Sequence, residues 1–62
     1  MFIEFVNRKN EIISLNAAYI LFVTSDKKGA VVFDIEGLDY ELKESYEEFM
    51  ARLGRIDVND FG

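Results

Sequence analysis

Apolar positions in this chain fall into five short runs followed by one helical stripe. The longest run, residues 17–24 (AAYILFVT), is apolar on both alternating faces: Tyr19, Leu21 and Val23 on one, Ile20 and Phe22 on the other. A half-exposed strand alternates apolar with polar, whereas a strand covered on both sides does not. The run therefore predicts a central strand, bounded by Asn16 and by the turn sequence DKKG at 26–29, where Gly29 is free to take positive φ. Residues 2–6 predict a first strand, with Ile3 and Phe5 opposed to Glu4. The polar NRKN at 7–10 reads as a turn, and residues 11–15 as a second strand with Ile13 and Leu15 opposed to Ile12 and Ser14. Residues 30–35 predict a fourth strand, carrying Val31, Phe33 and Ile35 on one face and Val32 on the other. Residues 38–42 alternate most cleanly, with Leu38, Tyr40 and Leu42 inward and Asp39 and Glu41 outward.

One helix follows. Residues 45–48 (SYEE) fit a capping box, in which a Ser hydroxyl and a Glu carboxylate reciprocally satisfy the first backbone N–H groups. Tyr46, Phe49, Met50 and Leu53 recur at helical spacing, Arg52 suits the last turn, and Gly54 reads as a stop. The pattern thus predicts a helix over 46–53. The tail 55–62, with Ile56, Val58 and Phe61, is read either as a short edge strand or as a segment docked on a neighbour.

The expected fold is one α+β domain over 1–62: a mostly antiparallel meander of four or five strands in one sheet, with a short C-terminal helix on one face. Eight helical residues make a rod about 12 Å long. Five strands span roughly 19 Å. Such a helix covers one face only. The other would present Phe2, Val6, Ile12, Ile20, Phe22 and Val32, rimmed by Glu4, Asp34, Asp39 and Glu41, which is the composition of an interface. A chain of 62 residues without cysteine also lies near the lower limit for independent folding, which favours a homo-oligomer or a protein partner.

Charge adds a second candidate surface. The net charge is −5, but residues 1–33 carry four basic against three acidic groups, and residues 34–62 carry nine acidic against three basic. In a meander, alternate turns share one end of the sheet. That gathers Arg8, Lys9, Lys27, Lys28 and Lys43 beside the helix N-terminus as a candidate site for an anion or an acidic partner. Glu44, Glu47 and Glu48 stand there too, and charged turns are usually just solvated. The overall acidity argues against sequence-independent nucleic-acid binding.

Catalysis has little to work with. With no His or Cys, Ser14, Ser25 and Ser45 lack the usual base, and only carboxylates remain as metal ligands. Asp39 and Glu41 share a strand face as an acid/base pair would, yet an outward strand face explains them. The DVND at 57–60 has the start of a calcium loop, and the sequence ends before the bidentate acid. We therefore expect no enzyme and no cofactor. The start MFIEFVNRK lacks the features of a signal peptide, and no apolar run reaches the roughly 20 residues of a membrane span. A cytoplasmic protein is the expectation.

In LNA at 15–17, Ile20, and YELKESYEE at 40–48, the chain resembles short bacterial and phage proteins of the FlbD-type flagellar, or swarming-motility, layout. That resemblance covers about residues 2–53 and implies strand, hairpin, then a capped helix; it transfers no functional residue. More distantly the same order is similar to LytTR-type DNA-binding domains. Their basic segment after the helix is replaced here by residues 54–62 (GRIDVNDFG), with one basic residue, so DNA contact by that route is not expected. The functional expectation is a small interaction or accessory protein that self-associates through the uncovered sheet face. The alternatives are a regulator or nucleic-acid or anion binder using the basic turn end, and a phage-type inhibitor docking on a host protein through the acidic C-terminal half.

Overall fold

A computed structural model describes the backbone of residues 1–61 and the side chains of residues 1–55. Five strands precede one helix: β1 (Phe2–Val6), β2 (Ile12–Asn16), β3 (Ile20–Asp26), β4 (Gly29–Asp34), β5 (Asp39–Glu41) and α1 (Tyr46–Phe61). The class is α+β, as the pattern predicts, but the single sheet is not formed. β1 and β2 make a two-stranded antiparallel sheet, and β3, β4 and β5 a separate three-stranded one.

The division arises at Asn16. Its side-chain carbonyl accepts from the Ala18 N–H at 3.0 Å and caps a 3-10 turn, Ala17–Tyr19. The Ala17 N–H in turn reaches the Met1 carbonyl at 2.8 Å. Three residues read as strand therefore become a corner, because an Asx side chain offers the backbone a local partner in place of a ladder. The sheets rejoin at their far ends. Asn7 bridges Leu42, the Arg8 N–H donates to the Glu41 carbonyl at 3.1 Å, and the Lys43 N–H to the Val6 carbonyl at 3.1 Å.

Between the sheets and α1 lies the core: Ile3, Phe5, Leu15, Ala30, Val32, Leu42 and Phe49. Ile13, Ile20, Val23, Tyr40 and Leu53 pack against it. Phe5 stands at its centre, edge-to-face with Phe49 (6.0 Å) and Tyr40 (5.9 Å). The hairpin β1–β2 thus supplies the cover that one helix could not. This corrects the expected open face, since Val32 has no exposed surface and Ile20 joins the core.

The strand faces also depart from simple alternation in β3. Its register with β4 pairs Ile20 with Asp34 and Phe22 with Phe33, leaving Leu21 as an extra residue. A bulge of this kind lets two consecutive side chains oppose one residue of the partner strand and shifts the parity of everything beyond. Ile20 and Val23 therefore both face the core, while Leu21 and Phe22 are 63% and 50% exposed.

The helix begins as predicted: the Glu48 N–H donates to Ser45 Oγ, and Glu48 Oε1 accepts from the Ser45 N–H, each at 3.1 Å. It does not stop at Gly54, which keeps negative φ; a glycine permits a helix end without imposing one. The backbone stays helical to Phe61, so the tail forms no edge strand. The alternative that Ile56, Val58 and Phe61 dock on a neighbour lies outside the described side chains, as does Gly62.

Gly29 is fixed by close approach. At φ 153°, a Cβ built there would lie 2.8 Å from the carbonyl oxygens of both Leu42 and Glu44. A Gly29→Ala substitution is expected to destabilise the protein by roughly 2 kcal/mol, because backbone strain and a backbone clash combine and neither relaxes cheaply. Urea unfolding monitored by circular dichroism measures the loss; an unchanged midpoint would show that residues 42–44 are not held against β4.

Candidate functional site

The turn end was the second sequence candidate, and the structure does bring three connections together there. Arg8 sits in the β1–β2 turn and aims its guanidinium across the sheet junction. It forms a fork with Asp26 (2.9 and 2.8 Å), donates from Nε to the Leu42 carbonyl at 2.9 Å, and lies 3.8 Å from Glu41. Asp26 itself accepts from the Lys28 and Gly29 N–H groups and so shapes the β3–β4 turn as well. Lys43 bonds Asn10 through its ammonium group. Lys9, Lys27 and Lys28 remain exposed. Of the five basic residues, Arg8 is engaged by carboxylates, and Ser25, Tyr46, Glu47 and Glu48 line the same shallow depression as Lys27, Lys28 and Lys43. The local field is mixed, which suits a structural junction better than an anion site.

A second cluster organises the β4–β5 turn. Asp34 is 4% exposed, a correction to its expected place on a polar rim. Its Oδ1 accepts from the Glu36 and Leu38 N–H groups (2.9 and 3.0 Å), and Oδ2 from the Tyr40 hydroxyl (2.8 Å). Burial pushes this carboxyl up, but the Tyr40 hydroxyl and the backbone donors outweigh it and hold it below its ordinary range. The same bond raises the Tyr40 hydroxyl, with burial adding to it. Every partner is satisfied, so the pair reads as a turn lock rather than a reactive dyad. Bound in this turn, Leu38 is 56% exposed instead of inward.

Among the described residues no group of three or more acids converges to hold a metal. Ser45 serves as the helix cap, and Asp39 and Glu41 lie on the outer face of β5. The 57–60 segment lies outside the described side chains. No helix among the described residues is long and apolar enough to cross a membrane.

The remaining feature is apolar surface, in two places. Phe2, Val6 and Ile12 lie on the outer face of the hairpin, with Val6 opposite Ile12. Phe22 lies on the outer face of the other sheet, so the six residues expected on one face divide into two exposed sets and two core positions. That second face is built in rows across the strands: Phe22, Phe33 and Asp39, then Thr24, Val31 and Glu41. Phe22 and Phe33 stack at 4.6 Å with planes 17° apart. Leu21 is delivered beside them by the bulge, and exposed Tyr19, Ile35 and Leu38 border the same end. Tyr19 and Ile35 are tied by an N–H···O bond of 2.8 Å. Leu21, Phe33, Ile35 and Leu38 were not candidates from sequence, because an uninterrupted apolar run conceals a parity change. The Asp34-x-x-Gly37 turn signature is the one mark that could have taken Leu38 out of its strand.

Arg8 holds the Asp26 carboxyl well below its usual range, from about 3.8 down to about 2, with the Lys28 N–H adding to the effect. A carboxyl depressed in the folded state stabilises the fold when ionised in both states, and that contribution disappears as pH falls from about 3.8 to about 2. An Arg8→Lys variant keeps the charge and loses the fork. Its unfolding midpoint at pH 7 is expected to drop, and its acid-induced loss of stability to be shallower than that of the wild type. Thermal melts across that pH window check both, and parallel curves would contradict the role given to Arg8.

No protein-family model matches the chain, and neither a curated protein nor a solved structure matches it.

Proposed function

We propose that this chain is a small non-enzymatic interaction protein that contacts another protein through the outer face of β3–β4–β5. The observation carrying the reading is the Phe22–Phe33 stack kept at the surface of a chain whose core is already filled by Phe5, Tyr40 and Phe49. Large aromatics gain about 2 kcal/mol or more from burial, so leaving Phe22 exposed on its stack with a half-buried Phe33, with Leu21 and Ile35 exposed alongside, forgoes stability unless a partner covers them. Ten large apolar side chains are exposed among the described residues, and those of this end form the largest grouping. A catalytic reading finds no support, since the polar clusters are internally satisfied.

Self-association is the second reading, favoured by a different surface. Ile12 is 73% exposed and Phe2 64%, on the outer face of the hairpin, where Val6 pairs with Ile12. Two copies joined there would leave the Phe22–Phe33 face free.

Both readings have direct tests. A photoreactive benzoylphenylalanine at position 33, in cells that express the chain, is expected to give one discrete crosslinked adduct heavier than a dimer of the chain. The same group at Ser14, on the outer face of the hairpin, should give none heavier than a dimer, and equal labelling of that heavier adduct from both positions would count against the sheet face. For self-association, light scattering across a hundredfold dilution should show a mass above monomer that a Val6→Ser, Ile12→Ser double variant loses and a Phe22→Ser, Phe33→Ser double variant keeps.

A further inference from the structure

The aromatic face of the three-stranded sheet has an acidic border. Asp39 lies directly across from Phe33, and Glu36 stands in the adjoining turn beside Ile35. Neither has an ion-pair partner among the described residues; Arg8, which lines the same depression as Asp39, is held by Asp26 and Glu41. We infer that the face receives a cationic, apolar segment of another protein, whose Arg or Lys side chains meet Asp39 and Glu36 while its apolar side chains cover Phe22 and Phe33. The inference rests on reading this face as the contact surface and names the chemistry of what it contacts.

Three arguments select that occupant. The exposed Phe22 ring offers a negative π-face on which a guanidinium lies flat, and the adjacent carboxylates accept its N–H groups. Nucleic acid and anionic membrane surfaces carry the same sign of charge as the border and are repelled. A second copy is disfavoured by symmetry, because a twofold interface must be self-complementary. With the axis along the row of Phe22, Phe33 and Asp39, the aromatics meet but Asp39 faces its own counterpart. With the axis midway along the sheet, Lys27 and Lys28 reach the acids of the other copy, but the aromatics then lie over Thr24 and Glu41. Neither arrangement satisfies both the apolar and the charged halves of the face. A separate cationic segment satisfies both.

The test uses the intact chain and two short synthetic peptides, one alternating Arg with Leu and one alternating Glu with Leu. Binding is followed by fluorescence anisotropy, and its location by amide shifts in nuclear magnetic resonance spectra. The basic peptide is expected to bind and to shift Leu21, Phe22 and Phe33, while the acidic peptide leaves them unmoved. Neutralising the border with Glu36→Gln and Asp39→Asn should weaken binding roughly tenfold at low salt, with unfolding midpoints unchanged. Equal binding of the two peptides, or basic-peptide binding untouched by the neutralised border, would overturn the inference. A crosslink from position 33 to a second copy would also overturn it while leaving the contact surface standing. Basic-peptide binding that survives Phe22→Ser with Phe33→Ser would overturn both.

Discussion

The structure depends on a three-residue seam. Leu42, Lys43 and Glu44 pair on both sides at once: the Leu42 N–H with the Ala30 carbonyl, the Glu44 carbonyl with the Ala30 N–H, and the Lys43 N–H with the Val6 carbonyl. Two sheets too small to be stable separately are thereby made one folding unit, since a lone hairpin is marginal in water. Leu42 is fully buried at this point and Gly29 allows the approach. Arg8 closes the seam from outside by capping the Leu42 carbonyl, and Arg52 closes it from the helix. The Arg52 guanidinium bonds the Glu4 carbonyl and the Glu44 carboxylate at 2.7 Å each and lies 5.8 Å from the centre of the Phe49 ring. Two arginines thus tie turn, helix and both sheets to the same backbone segment.

Much of this was legible from residue order. Period-two alternation located β1, β2 and β5 to within a residue or two, and the capping box placed the helix start, because these are local signals whose partners lie within a few positions. The turn at 26–29 was legible for the same reason. What the sequence did not disclose was set by tertiary partners. Asn16 turned three apolar residues into a corner, and nothing in AAY marks that choice over a strand. Gly54 stayed helical, since a glycine permits a helix end without imposing one. The rejoining of the two sheets depends on Leu42 meeting Asn7, a contact between positions far apart in the chain.

The candidate surface was legible in kind but not in membership. An apolar excess beyond what one helix covers was evident, and exposed apolar surface is what the fold contains. Its location moved because the hairpin folded over the face expected to be open, taking Val32 and Ile20 into the core. In the basic turns, Arg8 gained two carboxylate neighbours that the order of residues places 18 and 33 positions away. Asp34 shows the converse error, a polar residue read as rim that instead builds a turn from within.

The bulge at Leu21 makes the outward character of this protein a matter of counting. Phe22 is at the surface and Val23 is inside only because one additional residue separates them from Ile20. Composition and hydropathy would barely register the loss of that residue, while the faces of the strand before and after it would fall out of step. Length variation in this strand, more than amino-acid replacement, is therefore the route by which related chains would acquire or lose an exposed aromatic face. Two sequences that align well by chemistry would then present different surfaces to the cell.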